Sequence, residues 1–176
     1  MRADGALRLH LGGEEPHAGW QILNVQPGPG VDYVGDCADL GRFGDESVDD
    51  IYASHVLEHL GYAQKLPNAL REWRRVLKKG GRARVSVPDL DVLSRLFLDA
   101  AGRTHDRIMI MRMMFGGQVD EHDFHYVGLS FDILASLLGD AGFSHVERVA
   151  EFGLFKDTSA ARMFGEIISL NVVAYK

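Results

Sequence analysis

Ser47-Val-Asp-Asp-Ile-Tyr-Ala-Ser-His-Val-Leu-Glu-His-Leu60 begins as a hydrophobic strand and ends in polar chemistry. The apolar run Ile51–Ala53 belongs to a strand over Val48–Ser54, which stops abruptly at Ser54 and His55. Glu58 and His59 then interrupt an otherwise apolar helical turn. In an open α/β sheet, polar side chains at the carboxyl end of a strand mark the crevice where ligands bind. Their i, i+4 spacing would put His55 and His59 on one side of a helix.

The flanking sequence extends this pattern. Leu7–Leu11 alternates apolar and polar residues and reads as a strand, closed by Gly12-Gly13. Gln21–Val25 and Val31–Val34 read as further strands, separated by the turn Pro27-Gly-Pro-Gly30. A helix is predicted over Lys65–Lys79, ended by Gly80-Gly81, with a strand over Arg82–Val87 stopped by Pro88. Asp89 reads as the N-cap of a helix over Leu90–Ala101, and a second helix is predicted over Asp106–Met114. Gly116–Gly128 is a polar, His-rich loop. Ser130 reads as the cap of a helix over Phe131–Ala141, ended by Gly142, and Val146–Ala150 and Leu170–Tyr175 as the last strands.

This order predicts an α/β fold of one domain over residues 1–176, with a mostly parallel sheet and an antiparallel strand near one edge. The intervals between the first three strands are too short for crossover helices, so the first such helix is expected to be reduced or missing. A sheet face without helices needs other cover. The segment Phe152–Ile167 or a second copy of the chain could supply it, and a homodimer through the first three strands is the expectation.

Composition narrows the function. The formal charge of −6 argues against a nucleic-acid partner, and the basic residues Arg71, Arg74, Arg75, Lys78 and Lys79 read as one solvated helix face. No apolar run is long enough to span a membrane, no signal-peptide pattern opens the chain, and the lone Cys37 suits a reducing cytoplasm.

The stretch Asp50 to Leu60 resembles the fourth motif of class I S-adenosylmethionine (SAM)-dependent methyltransferases, an acidic residue followed by "hvLEHl". Leu70–Gly81 and Arg84–Pro88 resemble the helix, turn and fifth strand of the same fold. Met114–Gly128 and Ile168–Lys176 resemble a bacterial subgroup, of methyltransferase type 11 character, often associated with surface-glycan genes. The resemblance implies a Rossmann-like methyltransferase fold, SAM as cofactor with S-adenosylhomocysteine as product, and a small-molecule or glycan hydroxyl as methyl acceptor.

The resemblance also implies site residues. Gly12 and Gly13 stand where the family has its glycine turn, although Glu14 replaces a common second glycine. Gly19-Trp20-x-x-x-Asn24 resembles the family's "GWxxxD", which puts Asn24 where an acid usually holds the ribose diol. Asp36, with Cys37 beside it, matches the adenine-side acid, and Ser54 and His55 complete the expected cofactor set. A methyl acceptor must lose a proton, and histidine is the natural base near neutral pH. His59 and His125, with Asp123, are the catalytic candidates. A divalent metal on His55, Glu58 and His59 with His122 or His125 is the alternative; spacing alone establishes no closed ligand set, so a metal-independent reaction is preferred. The methionines Met109, Met111, Met113 and Met114 read as flexible core filler. A non-catalytic scaffold of the same fold is the rival reading, favoured by Glu14, Asn24 and the missing helix.

Overall fold

The computed structural model describes residues 5–176. Seven strands form one sheet: β1 (Arg8–Leu11), β2 (Gln21–Asn24), β3 (Tyr33–Val34), β4 (Val48–Ser54), β5 (Leu77–Pro88), β6 (His145–Val149) and β9 (Ser169–Tyr175). Their order is β3-β2-β1-β4-β5-β9-β6, and only β9 runs antiparallel to its neighbours. Strands β7 (Arg162–Met163) and β8 (Glu166–Ile167) make a separate small hairpin. The helices are α1 (Lys65–Val76), α2 (Leu90–Asp99), α3 (Thr104–Phe115) and α4 (Phe131–Asp140), as the sequence places them to within a few residues.

β1, β2 and β3 pair in parallel through loops alone, with no helix between them among the described residues. Gly12 makes the first turn possible. Its φ of +72° is open to glycine and its amide donates to the Leu23 carbonyl at 2.8 Å, tying the turn to the neighbouring strand.

Three local expectations change. Helix α1 stops at Val76, because Leu77 pairs with Val48 and the chain is already in β5. Gly80-Gly81 therefore forms the irregularity where the pairing shifts, and Lys78 pairs with Asp49 at 2.8 Å instead of extending a cationic helix face. Ser130 occupies the N-cap position of α4, but its hydroxyl donates to the Asp132 carboxylate and does not cap the helix. Asp89 does cap α2, accepting from the amides of Asp91 at 3.1 Å and Val92 at 3.3 Å.

Strand alternation gives the sheet two unlike faces. Leu9, Leu11, Leu23, Ile51, Ala53 and Val85 point to the main core, where Trp73 of α1 and Leu134 and Leu138 of α4 cover them. Tyr33 also belongs to this side. The opposite face carries His10, Tyr52 and the buried Asp50, which pairs with Arg82 at 3.2 Å and with Arg84. Residues 150–161 lie over it. The Phe155 ring stands 4.2 Å from His10, 4.4 Å from Tyr52 and 5.4 Å from Trp20, centroid to centroid. The Tyr52 hydroxyl donates to Asp157 at 2.7 Å. Burial pushes the His10 imidazole down to about 4, so it lies neutral among these rings. The apolar demand that suggested a homodimer is thus met by the chain's own C-terminal segment.

Helices α2 and α3 pack on each other and on Ile168 as a smaller second core. Of the methionines of α3 only Met114 joins it; Met109, Met111 and Met113 are exposed, because α3 has a single buried residue, Ile110. No helix among the described residues is long and apolar enough to cross a membrane.

Phe155→Ala should lower stability by about 2 kcal/mol, less than the ~3–5 kcal/mol of a fully buried phenylalanine. Urea unfolding measures this, and limited proteolysis of the variant should cut first within residues 150–161.

Candidate functional site

At His55 the chain leaves β4 in the left-handed region, with φ of +54°. The expected helix is a short 3₁₀ turn, Leu57–His59, so His55 and His59 do not share a helical face. The Ser169 hydroxyl donates to the Thr158 carbonyl at 2.7 Å, so its 3.0 Å contact with His55 Nε2 is accepted from the ring. This assignment turns Nδ1 of His55 towards Glu58, 3.3 Å from a carboxylate oxygen but out of hydrogen-bonding alignment.

The polar loop 116–128 is laced onto this turn through backbone groups. Tyr126 N–H donates to the Glu58 carbonyl at 2.8 Å, and His125 N–H to the Phe115 carbonyl at 3.2 Å. His59 Nδ1 contacts the Phe124 carbonyl at 3.1 Å, which assigns Nδ1 as the protonated nitrogen. The loop thereby brings His125 against His59, with ring centroids 4.8 Å apart and the rings edge-on. Burial pushes the His125 imidazole below the usual histidine range, against the opposing pull of Glu58.

Two adjoining hollows meet here. A crevice of about 480 Å³ runs past Gly12, Asn24, Asp36 and Cys37 at the carboxyl ends of β1, β2 and β3. A smaller recess of about 210 Å³ lies between Pro88, Met113, Gly116 and His125. His55, His59 and Asp123 line both hollows and form their common wall. The crevice is the size of an ordinary ligand site, whereas the recess is smaller than the ~300 Å³ at which such sites begin and suits one end of a molecule.

The crevice is acidic. Glu14, Asp36, Asp120, Glu121 and Asp123 line it, against the single ammonium of Lys65. Lys65 pairs with Asp36 at 2.8 Å. Burial disfavours the charged form of Asp36, but Lys65 and the Ala38 amide outweigh it and hold the carboxyl below its usual range. Burial pushes the Cys37 thiol up to about 12, so this half-buried cysteine is no nucleophile.

Two expected residues lie elsewhere. Ser54 is on the Tyr52 side of β4, 3.4 Å from Thr158 on the covered face, because alternate residues of a strand point the same way. Gly13 is buried beside His10, where an added Cβ would sit 2.6 Å from the ring. Asn24 borders the crevice, but its amide is engaged within the fold. It donates to the Gly13 carbonyl and accepts from the Gln26 amide, both at 3.0 Å. Lys65 and Tyr126 are crevice residues that no sequence motif marked; a lysine at a helix start and a tyrosine in a polar loop carry no pattern of their own.

Residues 18–85 match the family described as a methyltransferase domain. The fold is shared with a SAM-dependent methyltransferase from Archaeoglobus fulgidus, at 14% identity and a TM-score of 0.61, over 97% of this chain and 86% of that one. It is shared with the 1,6-didemethyltoxoflavin-N1-methyltransferase of Burkholderia thailandensis, solved with its substrate and S-adenosylhomocysteine (17% identity, TM-score 0.59, 97% and 71% covered). It is also shared with the CurJ carbon methyltransferase, at 16% identity and a TM-score of 0.59, over 97% of this chain; here the chain spans only 48% of the longer protein, about half its length. No protein of curated function matches the sequence. The chain thus has the Rossmann-like fold of these methyltransferases, and residues 18–85 carry the match to the methyltransferase-domain family.

Asn24→Asp should destabilise the protein by about 1–3 kcal/mol at neutral pH, because a carboxylate oxygen would face the Gly13 carbonyl where an amide donor stood. The deficit should shrink in acid, once the introduced carboxyl is protonated and can donate. Urea unfolding from pH 7 to pH 4 measures both effects.

Proposed function

We propose that this chain transfers the methyl group of SAM to a hydroxyl of a small molecule or the end of a glycan, in the cytoplasm. The observation that carries this reading is the common wall: His55, His59 and Asp123 separate a cofactor-sized acidic crevice from a small recess that holds His125.

The residues of the crevice fit the cofactor. SAM, when bound, supplies a methyl carbon whose bond to sulfur breaks, with its electron pair left on sulfur, as the acceptor oxygen bonds to the carbon. The carboxylates of the crevice favour a ligand that carries a sulfonium cation. Gly12 leaves room at the turn after β1, since a Cβ there would lie 2.6 Å from Val56. Asp36, steadied by Lys65, offers an acceptor at the end of β3. Asn24 shapes the wall through its bonds to Gly13 and Gln26 rather than by gripping a diol.

The recess orients the acceptor and receives its proton. With Nδ1 of His59 committed to the Phe124 carbonyl, Nε2 is the nitrogen left to take up a proton. His125 stands beside it, and Asp123 adds negative charge that favours the imidazolium formed by the transfer.

A second reading, a scaffold that binds no cofactor, draws on Asn24, whose polar atoms already have partners. Calorimetric titration decides between the two. Micromolar binding of SAM and of S-adenosylhomocysteine is expected, and no binding up to millimolar concentrations favours the scaffold. With an identified acceptor, His59→Ala and His125→Ala should each lower kcat by about 10²–10⁴-fold, the range of one acid–base group, while SAM affinity stays within about twofold.

A further inference from the structure

Glu58 is the least expected side chain in the site. It is 1% exposed, and neither carboxylate oxygen makes a hydrogen bond. Its nearest partner is His55 Nδ1 at 3.3 Å, and a buried carboxylate without a hydrogen bond is costly and favours a cation beside it. The groups around it are imidazoles. One carboxylate oxygen of Glu58 and one ring nitrogen each of His59 and His125 lie within 4.8 Å of one another.

The two rings are prepared to act as ligands. His59 is held through Nδ1 by the backbone carbonyl of Phe124. The His125 Nδ1 is left buried and without a partner. A ring whose one nitrogen donates to a carbonyl presents a lone pair at the other, the arrangement that fixes metal-bound histidines. We propose that Glu58, His59 and His125 form a binding site for a divalent transition-metal ion of the zinc class.

The donor set selects this class. Two imidazoles and one carboxylate suit zinc or iron(II), whereas magnesium and calcium take oxygen ligands. A tetrahedral site with ligands at about 2.1 Å spaces its donors about 3.4 Å apart, so the cluster must draw in by at most about 1.5 Å. Rotation of the side chains covers that distance. Three protein ligands leave a fourth position, and both imidazoles line the small recess into which it can open.

This site does not rest on methyl transfer. An ion and a proton compete for the same nitrogen lone pairs, so the loaded protein would hold a recess ligand by coordination and the unloaded protein by its imidazoles. It also revises the expectation of a metal-independent site, through the burial of Glu58, which spacing could not reveal.

The test is titration of the protein with zinc chloride in metal-free buffer without SAM. We expect close to one equivalent bound with micromolar or tighter affinity, and a visible absorption band when cobalt(II) replaces zinc. Glu58→Gln and His125→Ala should each weaken binding at least about tenfold, a floor set by the losses on removing even supporting groups of metal sites. His122→Ala, an exposed histidine of the same loop, should bind as the parent does. Circular dichroism checks that each variant is folded, and His59→Asn gives a second route if Glu58→Gln is not. Binding that is substoichiometric, that survives both ligand variants, or that falls equally with His122→Ala overturns the proposal. Zinc binding without SAM binding would sink the methyl-transfer reading and leave the metal site standing; SAM binding without zinc binding would do the reverse.

Discussion

The site depends on where β4 ends. This strand is hydrogen-bonded to β1 on one side and β5 on the other, so its direction and pleat are fixed by both neighbours. Its last residue, Ser54, is the last point at which sheet alternation decides what faces what. The backbone then turns through the left-handed conformation at His55, and Leu57 and Glu58 are buried within the next turn. Leu57 anchors that turn in the main core, and the turn in turn offers the Glu58 carbonyl and the His59 ring to the loop 116–128. A shift of β4 by one residue would exchange the core side chains Ile51 and Ala53 for Tyr52 and Ser54.

The two faces of the sheet answer different needs. Helices α1 and α4 bury a continuous aliphatic surface, which supplies most of the apolar burial. The other face holds an ion-paired aspartate, a neutral histidine and a tyrosine, covered by an irregular segment rather than by a helix. Short connections between β1, β2 and β3 leave no helix there, and an irregular cover can follow the contours of large rings more closely than a helix of fixed diameter. The crevice opens at the edge between these arrangements, where the loops after β1, β2 and β3 converge.

Much of this was legible in the sequence, and unevenly. Period-2 alternation located the strands, and β4 was found to the residue, because its pattern reports burial on both faces. The end of α1 is not legible in the sequence. Lys78-Lys79-Gly80-Gly81 has the composition of a helix terminus, and only pairing with Val48 draws Leu77 into a strand. Gly12, Asn24, Asp36, Cys37 and His55 reached the crevice wall because each follows the end of a strand. Ser54 did not, since its side chain obeys the strand rather than the turn. The meeting of His59 with His125 was expected from chemical need, whereas the backbone bonds that cause it connect residues some 65 positions apart and leave no local trace. The burial of Glu58 is also a tertiary fact. In sequence it is an ordinary polar residue of a short turn.

The covering segment also bears on how the chain reaches this state. Tyr52 meets Asp157 across 105 positions, and β5 is flanked by β9, which arrives about 90 residues after it. Contacts of such range are slow to form, since loop-closure entropy opposes them until many form together. During synthesis the parallel strands β1 to β5 emerge first, with the ring-lined face bare and β5 an open edge. That intermediate presents both an aromatic surface and unpaired backbone groups, the two features that favour association between chains. The C-terminal thirty residues close both at once. In the living cell, then, the hazard for this protein lies in the interval before those residues leave the ribosome, and a chaperone able to shield a sheet edge would act on it at that stage.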